Sequence, residues 1–274
     1  MSAPKSYRLI VLDVDGTLVD RERRISPATQ EALAAAQAAG IRVTLATGRM
    51  YASARPYAEK IKADAPLILY NGAAIQDPGG GRIWYSARLP REQALRGLRL
   101  ARQHGVHVNL YLGDAIYIER VSDTSRESAR KDGVEQTPVG DLPAFLESQQ
   151  ADPVKLLIIG PPERLEALTA AYRSGERAEV LPHIVRSEPT YLEILRRGVT
   201  KGAALLRLCD LLGIPASAAV AFGDNLNDLE MIQAAGLGVA MGNAHPELKR
   251  AAKVVAPSNN DDGVAELLRT HVLA

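Results

Sequence analysis

A single cysteine, Cys209, is all that this chain of 274 residues contains. No internal disulfide can form, and neither a disulfide scaffold nor a cysteine-rich zinc site is available. Cys209 lies beside Leu208, Leu211 and Leu212 in a helical pattern and reads as a small buried hydrophobe. An excess of one charge is also missing: 33 Lys and Arg stand against 32 Asp and Glu, a net charge of +1. Such a balance gives no global field to hold a nucleic acid or an anionic membrane. The longest stretch without Asp, Glu, Lys or Arg, 231–246, contains Gln233, Asn243, His245 and three glycines, so it is not a membrane span. Residues 1–8 carry no apolar stretch before the first strand-like run, which argues against a signal peptide. The five histidines are too scattered for a metal cluster, and His104 and His107 are expected to be solvated. There is no internal repeat and no low-complexity tract. The expectation is a soluble, cytoplasmic protein with no nucleic-acid or membrane partner, whose oligomeric state the sequence leaves open.

What is present is the composition of an ordinary globular protein, 46% hydrophobic and 24% charged. At about 150 residues per domain the length allows about 1.8 domains. The run 8–12 is short, apolar and rich in Ile, Val and Leu, which suits a strand buried on both faces of a parallel sheet. Ser26-Pro27 opens a helix that stops at Gly40. A strand at 42–46, a helix at 50–61 and a strand at 67–70 follow, an alternation that implies a parallel sheet with right-handed crossovers. Asn71-Gly72 is then a hairpin signal between 67–70 and 73–76, and 82–86 reads as a strand.

From there to about 191 the rhythm is less regular. Helices are expected at 90–104, 122–131, 141–149 and 162–174. Strands are expected at 106–110, 115–120, 154–159, 178–181 and 191–195, the first two antiparallel neighbours. After Thr200 the parallel rhythm returns, with helices at 201–212, 226–234, 246–251 and 262–269 and strands at 218–222, 237–240 and 254–255. The fold class is α/β: a Rossmann-like parallel-sheet core with helices on both faces, interrupted by an inserted α+β domain.

Ligands of open α/β sheets sit beyond the C-terminal ends of the strands. The first strand is followed by Asp13-Val14-Asp15-Gly16-Thr17-Leu18, and the second by Thr47-Gly48-Arg49. The strand at 218–222 is followed by Gly223-Asp224-Asn225-Leu226-Asn227-Asp228, and Lys201 opens a helix shortly before it. Each motif alone is also what caps and turns are made of; all of them at strand ends point to chemistry. Carboxylates so close repel and raise each other's pKa unless a cation sits among them. Oxygen-only ligands suit a hard ion, and Mg²⁺ is the expected one. Asp13 could then attack phosphorus as a carboxylate nucleophile. Asp15 could protonate the leaving oxygen and later deprotonate water. Lys201, Thr47 and the Gly48 amide would neutralise phosphoryl oxygens.

Asp-Val-Asp-Gly-Thr-Leu, Ala-Thr-Gly-Arg, Lys201 and Gly-Asp-Asn-Leu-Asn-Asp resemble the four signature motifs of the haloacid dehalogenase superfamily. The insertion between the second and third motifs, with Asn71-Gly72-Ala73, Gly198 to Gly202 and Gly242-Asn243-Ala244, is similar to the Cof-like sugar-phosphate phosphatases with a large α/β cap. The resemblance implies Asp13 as nucleophile and Asp15 as general acid and base. It implies Mg²⁺ held by Asp13, the backbone carbonyl of Asp15, and Asp224, with Asp228 coordinating or one layer out. It implies phosphate held by the Val14 amide, Thr47, Gly48, Lys201 and Asn227, and a turn at Asn71-Gly72 bordering the site. The core is then discontinuous, 1–85 and 192–274, with the cap at 86–191.

The reading that follows is a Mg²⁺-dependent phosphatase of a small phosphorylated metabolite. A phosphomutase shares the same core motifs. A non-enzymatic phospho-aspartate switch also gathers an acidic pocket, a Thr and a Lys at strand ends. Such a switch should lack Asp15 and needs no inserted domain, whereas an enzyme closing a lid over its substrate uses both. The glycines of 236–242 do not make a dinucleotide fingerprint, because a strand runs through them. Arg21 to Arg24 reads as a solvated loop. Arg88, Arg120, Lys155 and Arg186 of the cap could face the site or water.

Overall fold

The structure is a computed structural model that describes residues 7–174 and 180–274. It divides into two compact units. The first comprises the described residues up to Arg49, then Ala54–Tyr85 and Thr200–Ala274; the second comprises Met50–Ser53 and Ser86–Val199.

In chain order the first unit begins with β1 (Leu9–Leu12), α1 (Pro27–Ala38) and β2 (Arg42–Leu45). Next come α2 (Tyr51–Lys60), which belongs to this unit from Ala54 on, and three short strands, β3 (Leu67–Leu69), β4 (Ala74–Gln76) and β5 (Ile83–Ser86, to this unit up to Tyr85). Ser26 caps α1 by accepting from the Thr29 amide, and Pro27 fills the first helical position, where its missing N–H costs nothing. β3 and β4 form the expected hairpin, with Leu67 opposite Gln76 and Leu69 opposite Ala74. The hairpin corrects one detail: β3 is not a strand of the main sheet but starts a separate sheet, β3-β4-β5. A single parallel bridge, Ala46 to Ile68, joins the two.

The second unit carries α3 (Arg91–Gln103), β6 (His107–Leu112), β7 (Ala115–Ile118), α4 (Asp123–Asp132) and β8 (Gln136–Pro138). It continues with α5 (Leu142–Ser148), β9 (Lys155–Ile159), α6 (Pro162–Arg173), β10 (His183–Glu188) and β11 (Tyr191–Leu195). Its sheet runs β10-β11-β9-β6-β7-β8, antiparallel except for β7 with β8. Leu110, Leu156, Ile158, Leu192 and Ile194 pack with Leu98 of α3, Leu146 of α5 and Leu168 of α6 into one apolar core. Strand periodicity turns Lys155 away from that core. It is buried against Glu193 at 2.6 Å and lies 4.8 Å from the Tyr111 ring centroid.

Several expectations change here. The strand expected at 178–181 falls partly outside the described residues, and the strand observed is β10, beginning at His183. The core does not resume at 192, because β11 pairs with β9 and β10 and belongs to the second unit; the first unit resumes at Thr200. His107 is not solvated: it is half-buried, its Nε2 is 2.8 Å from Asn109 Oδ1, and burial lowers its pKa.

The return to the first unit brings α7 (Lys201–Leu212), β12 (Ala219–Gly223), α8 (Leu229–Ala234), β13 (Leu237–Ala240), α9 (Pro246–Ala251), β14 (Val254–Val255) and α10 (Gly263–Leu267). The main sheet is wholly parallel, in the order β14-β13-β12-β1-β2. β1 is central, with Leu9 paired to Ala219 on one side and Arg42 on the other. All four of its residues are fully buried, which is why its sequence is a continuous apolar run rather than an alternating one. Helices flank this sheet in two groups, α1 with α10, and α7 with α8 and α9. Cys209 is buried in α7, and burial pushes its thiol up to about 11. No helix among the described residues is long and apolar enough to cross a membrane.

Candidate active site

β1 ends by turning Asp13 out of the sheet, its amide still donating to the Phe222 carbonyl of β12. Lys201, the first residue of α7, is held there by Thr200, whose hydroxyl accepts from the Ala203 amide. The Lys201 side chain is fully buried, and its Nζ donates to Asp13 Oδ1 and Asp228 Oδ1, both at 2.6 Å. Asp228 is itself fully enclosed. Its other oxygen accepts from the amides of Asp224 and Asn225, each at 3.0 Å. One carboxylate therefore pins both the lysine and the turn that carries Asp224. Thr17 reaches Asp224 Oδ1 at 3.2 Å. Gly16, at φ 81, brings its backbone against the Asp224 carboxylate, where any Cβ would collide with it.

Oxygen atoms of Asp13, Asp224 and Asp228 all lie within 4.8 Å of one another. Three carboxylates share one lysine, so the cluster carries an excess of negative charge. Burial raises the Asp13 pKa well above the usual carboxylate range, against the pull of Lys201 and with the push of Asp228 and Asp224. Asp224 is raised to about 7, by burial first and then by Asp228. Burial works to lower the Lys201 pKa, but Asp13 and Asp228 outweigh it, so the ammonium is held charged. Hard oxygen donors, enclosed and short of positive charge, fit a small divalent cation.

The remaining expected residues are linked around this cluster. Val14 is buried in the turn after Asp13, its carbonyl accepting from Leu18 and Val19. Thr47 is buried at the end of the segment following β2, its hydroxyl accepting from the Arg49 amide across Gly48. Its carbonyl accepts from the Asn71 amide. Asn227 donates through Nδ2 to Asn71 Oδ1 at 3.1 Å. Asp15 stands outside the carboxylate group: its half-exposed side chain lies in a bidentate fork of Arg49, with Nε to Oδ2 and NH2 to Oδ1 both 2.7 Å.

Three residues thus gain partners that the sequence did not indicate, Asn71 from the turn expected to border the site. Arg49 holds Asp15, and Asn71 joins Thr47 to Asn227. Asn243 donates from Nδ2 to the Gly16 carbonyl at 2.8 Å and braces the loop beneath Asp224. Arg49 and Asn243 did stand inside motifs noted in the sequence, but a partner is not readable from a motif.

A parallel sheet presenting a buried aspartate, a lysine and an acidic turn at its strand ends has the makings of a site for phosphorylated ligands. The sequence model described as haloacid dehalogenase-like hydrolase matches residues 10–268, and the chain belongs to that family, in its Cof-like branch. It is a phosphoric monoester hydrolase. It is 32% identical to the 5-amino-6-(5-phospho-D-ribitylamino)uracil phosphatase YitU of Bacillus subtilis, over 96% of this chain and 97% of that one. It is 27% identical to the pyridoxal phosphate phosphatase YbhA of Escherichia coli, over 97% and 99%. Among solved structures, a haloacid dehalogenase-like hydrolase from Bacteroides thetaiotaomicron shares the fold at a TM-score of 0.86. That protein is 32% identical, with 96% of this chain and 99% of that one covered.

Proposed function

We propose that the protein hydrolyses the phosphate monoester of a small metabolite through an aspartyl-phosphate on Asp13, with Mg²⁺ as cofactor. The observation that carries this reading is the buried contact of Lys201 with Asp13 inside a cluster that still lacks positive charge. The Asp13 oxygen not bonded to Lys201 attacks phosphorus, the bond from phosphorus to the leaving oxygen breaks, and the Asp15 carboxyl group gives its proton to that oxygen. Water then attacks the same phosphorus and passes a proton to Asp15, and the bond to Asp13 breaks to release orthophosphate. Lys201, the Thr47 hydroxyl, the amides of Val14 and Gly48, and Asn227 hold the phosphoryl oxygens throughout. Asp13, Asp224 and the Asp15 carbonyl would hold the cation, which supplies Lewis-acid neutralisation of the phosphoryl group. With both its oxygens engaged, Asp228 acts by fixing Lys201 and Asp224 rather than as a direct ligand.

Arg49 holds both oxygens of Asp15 and so positions it, while each oxygen keeps a second lone pair through which a proton can be exchanged with the leaving group. The second unit is proposed as the inserted cap. The named substrates of the two relatives above are small phosphate monoesters, and the same class is proposed here.

Purified protein with Mg²⁺ should release orthophosphate from an aryl phosphate, and Asp13→Asn should abolish release while the fold survives. Full activity of Asp13→Asn, or of the wild type in excess chelator, refutes the mechanism. A panel of metabolite phosphates run against the same pair of proteins identifies the substrate.

A further inference from the structure

The turn between β3 and β4 has a conformation that its length does not require. Tyr70 and Asn71 are both left-handed, at φ 51 and 54, and Gly72 follows at φ 100. Two successive non-glycine residues in that region are unfavourable, and such strain collects where a side chain must be placed. The turn is clamped on all sides. The Tyr70 amide donates to the Arg49 carbonyl and the Asn71 amide to the Thr47 carbonyl. A Cβ on Gly72 would overlap the Thr200 carbonyl, one residue before Lys201.

The Asn71 side chain is only 2% exposed. Its Oδ1 accepts from Asn227 Nδ2 at 3.1 Å. Asn71 Nδ2 is left buried with no hydrogen-bond partner. A buried amide donor is costly to leave unmade, and natural structures seldom do so without a reason. The elements gathered around this one carry Thr47, Asn227 and Lys201.

We propose that Asn71 Nδ2 donates a hydrogen bond to an oxygen of the phosphoryl group, and to orthophosphate as product, as a further substrate-binding residue. The inference rests on the phosphatase reading above and adds a neutral donor to it. The ligand it calls for is an oxyanion, whose unprotonated oxygens accept, since the orphaned group is a donor.

The test uses Asn71→Gly and Asn71→Asp, both compatible with the left-handed backbone. Asp preserves the acceptor for Asn227 and removes the donor, whereas Gly removes both. Competitive inhibition by orthophosphate is measured in the presence of Mg²⁺, with an aryl phosphate as substrate and thermal unfolding as the check on folding. Each variant should weaken orthophosphate about tenfold, equivalent to about 1.4 kcal/mol, with melting little changed. Asn71→Gly is repeated in an Asn227→Ala background. If Asn71 merely positions Asn227, its loss there has no further effect, and the proposal falls. If Nδ2 meets the phosphate, a further loss of about fivefold or more remains. Orthophosphate inhibition unchanged in Asn71→Asp overturns the proposal even if the glycine variant does not fold. A wild type that neither turns over aryl phosphate nor is inhibited by orthophosphate overturns the phosphatase reading and this proposal together. Normal wild-type behaviour with unaffected Asn71 variants overturns this proposal alone.

Discussion

Replacing Asp13 by Asn should abolish turnover and yet stabilise the cation-free protein. Oxygens of Asp13, Asp224 and Asp228 lie within 4.8 Å of one another, and at an effective dielectric of about 20 each such pair repels by about 3.5 kcal/mol. The contact of Lys201 with Asp13 at 2.6 Å attracts by about 6 kcal/mol on the same scale. Two repulsions and one attraction nearly cancel, so the cost of keeping a buried Asp13 charged decides the sign. Burial is also the leading cause of the raised Asp13 pKa. An amide keeps an acceptor for Lys201 while shedding the charge, and a gain of about 1–3 kcal/mol follows. At about 2–4 °C per kcal/mol for a protein of this size, that is a rise of about 2–12 °C in melting temperature. The assay is thermal unfolding of both proteins at neutral pH in excess chelator, then with Mg²⁺. Cation binding should raise the wild type more than the variant, which keeps two of three carboxylates, and so narrow or reverse the gap. A variant that melts below the wild type in chelator refutes the reasoning, because the lysine contact would then outweigh both repulsion and burial.

Arg49→Ala frees Asp15 from its fork, and kcat should fall about 10- to 100-fold with KM changed much less, since a proton-transfer group loses its positioning; a steady-state comparison showing the opposite split counts against a positioning role. In the second unit, Lys155→Met leaves Glu193 buried and unpaired and should cost about 3–5 kcal/mol. The double variant Lys155→Met with Glu193→Met should recover most of that in urea unfolding, and a double variant as unstable as the single one contradicts the pairing argument. Burial and the neighbouring Asp228 raise the Asp224 pKa to about 7 in the folded cation-free state, against about 3.9 for an unperturbed aspartate. Between those values the folded protein keeps a proton that the unfolded chain has released, so this group's stabilisation is lost as pH rises from about 4 to about 7, at up to about 1.4 kcal/mol per unit. Asp13 contributes a slope of the same sign, so urea unfolding in chelator should show a steeper slope in the wild type than in Asp224→Asn; equal slopes remove the assignment.

Much of this was legible before any coordinates, for local reasons. The apolar run of β1, the Ser26-Pro27 start of α1 and Thr200 before α7 each announce an element boundary within a few residues. Asp13, Thr47, Lys201 and Asp224 follow directly as residues at element ends. What escaped depends on partners far apart in the chain. Arg49 meets Asp15 across 34 residues, Asn227 meets Asn71 across 156, and Asn243 meets Gly16 across 227. No spacing rule encodes such contacts. β8 is an edge strand that includes Pro138, and β10 is an edge strand whose residues are all half-buried. Neither has the alternation that marks a strand with one face in a core. Lys155, which the sequence leaves open to face the site or water, meets Glu193 only through the pleat of β9 and β11.

The central place of β1 also sets the order in which the molecule can be built. Its partner β2 is synthesised within a few dozen residues, but its other partner, β12, ends at Gly223. At about 5–20 residues per second, the stretch between them takes on the order of 10–40 s to emerge from a ribosome. During that interval one edge of an entirely apolar strand has no neighbour, a template for mispairing. The sheet of β6 to β11 can be complete by then, since its last strand ends at Leu195, so the domain interrupting the chain is able to fold before the domain it interrupts. Lys201 and Asp228 arrive later still. Asp13 is thus among the first residues made and among the last to acquire its surroundings, and a nascent chain carries its proposed nucleophile long before the site around it exists.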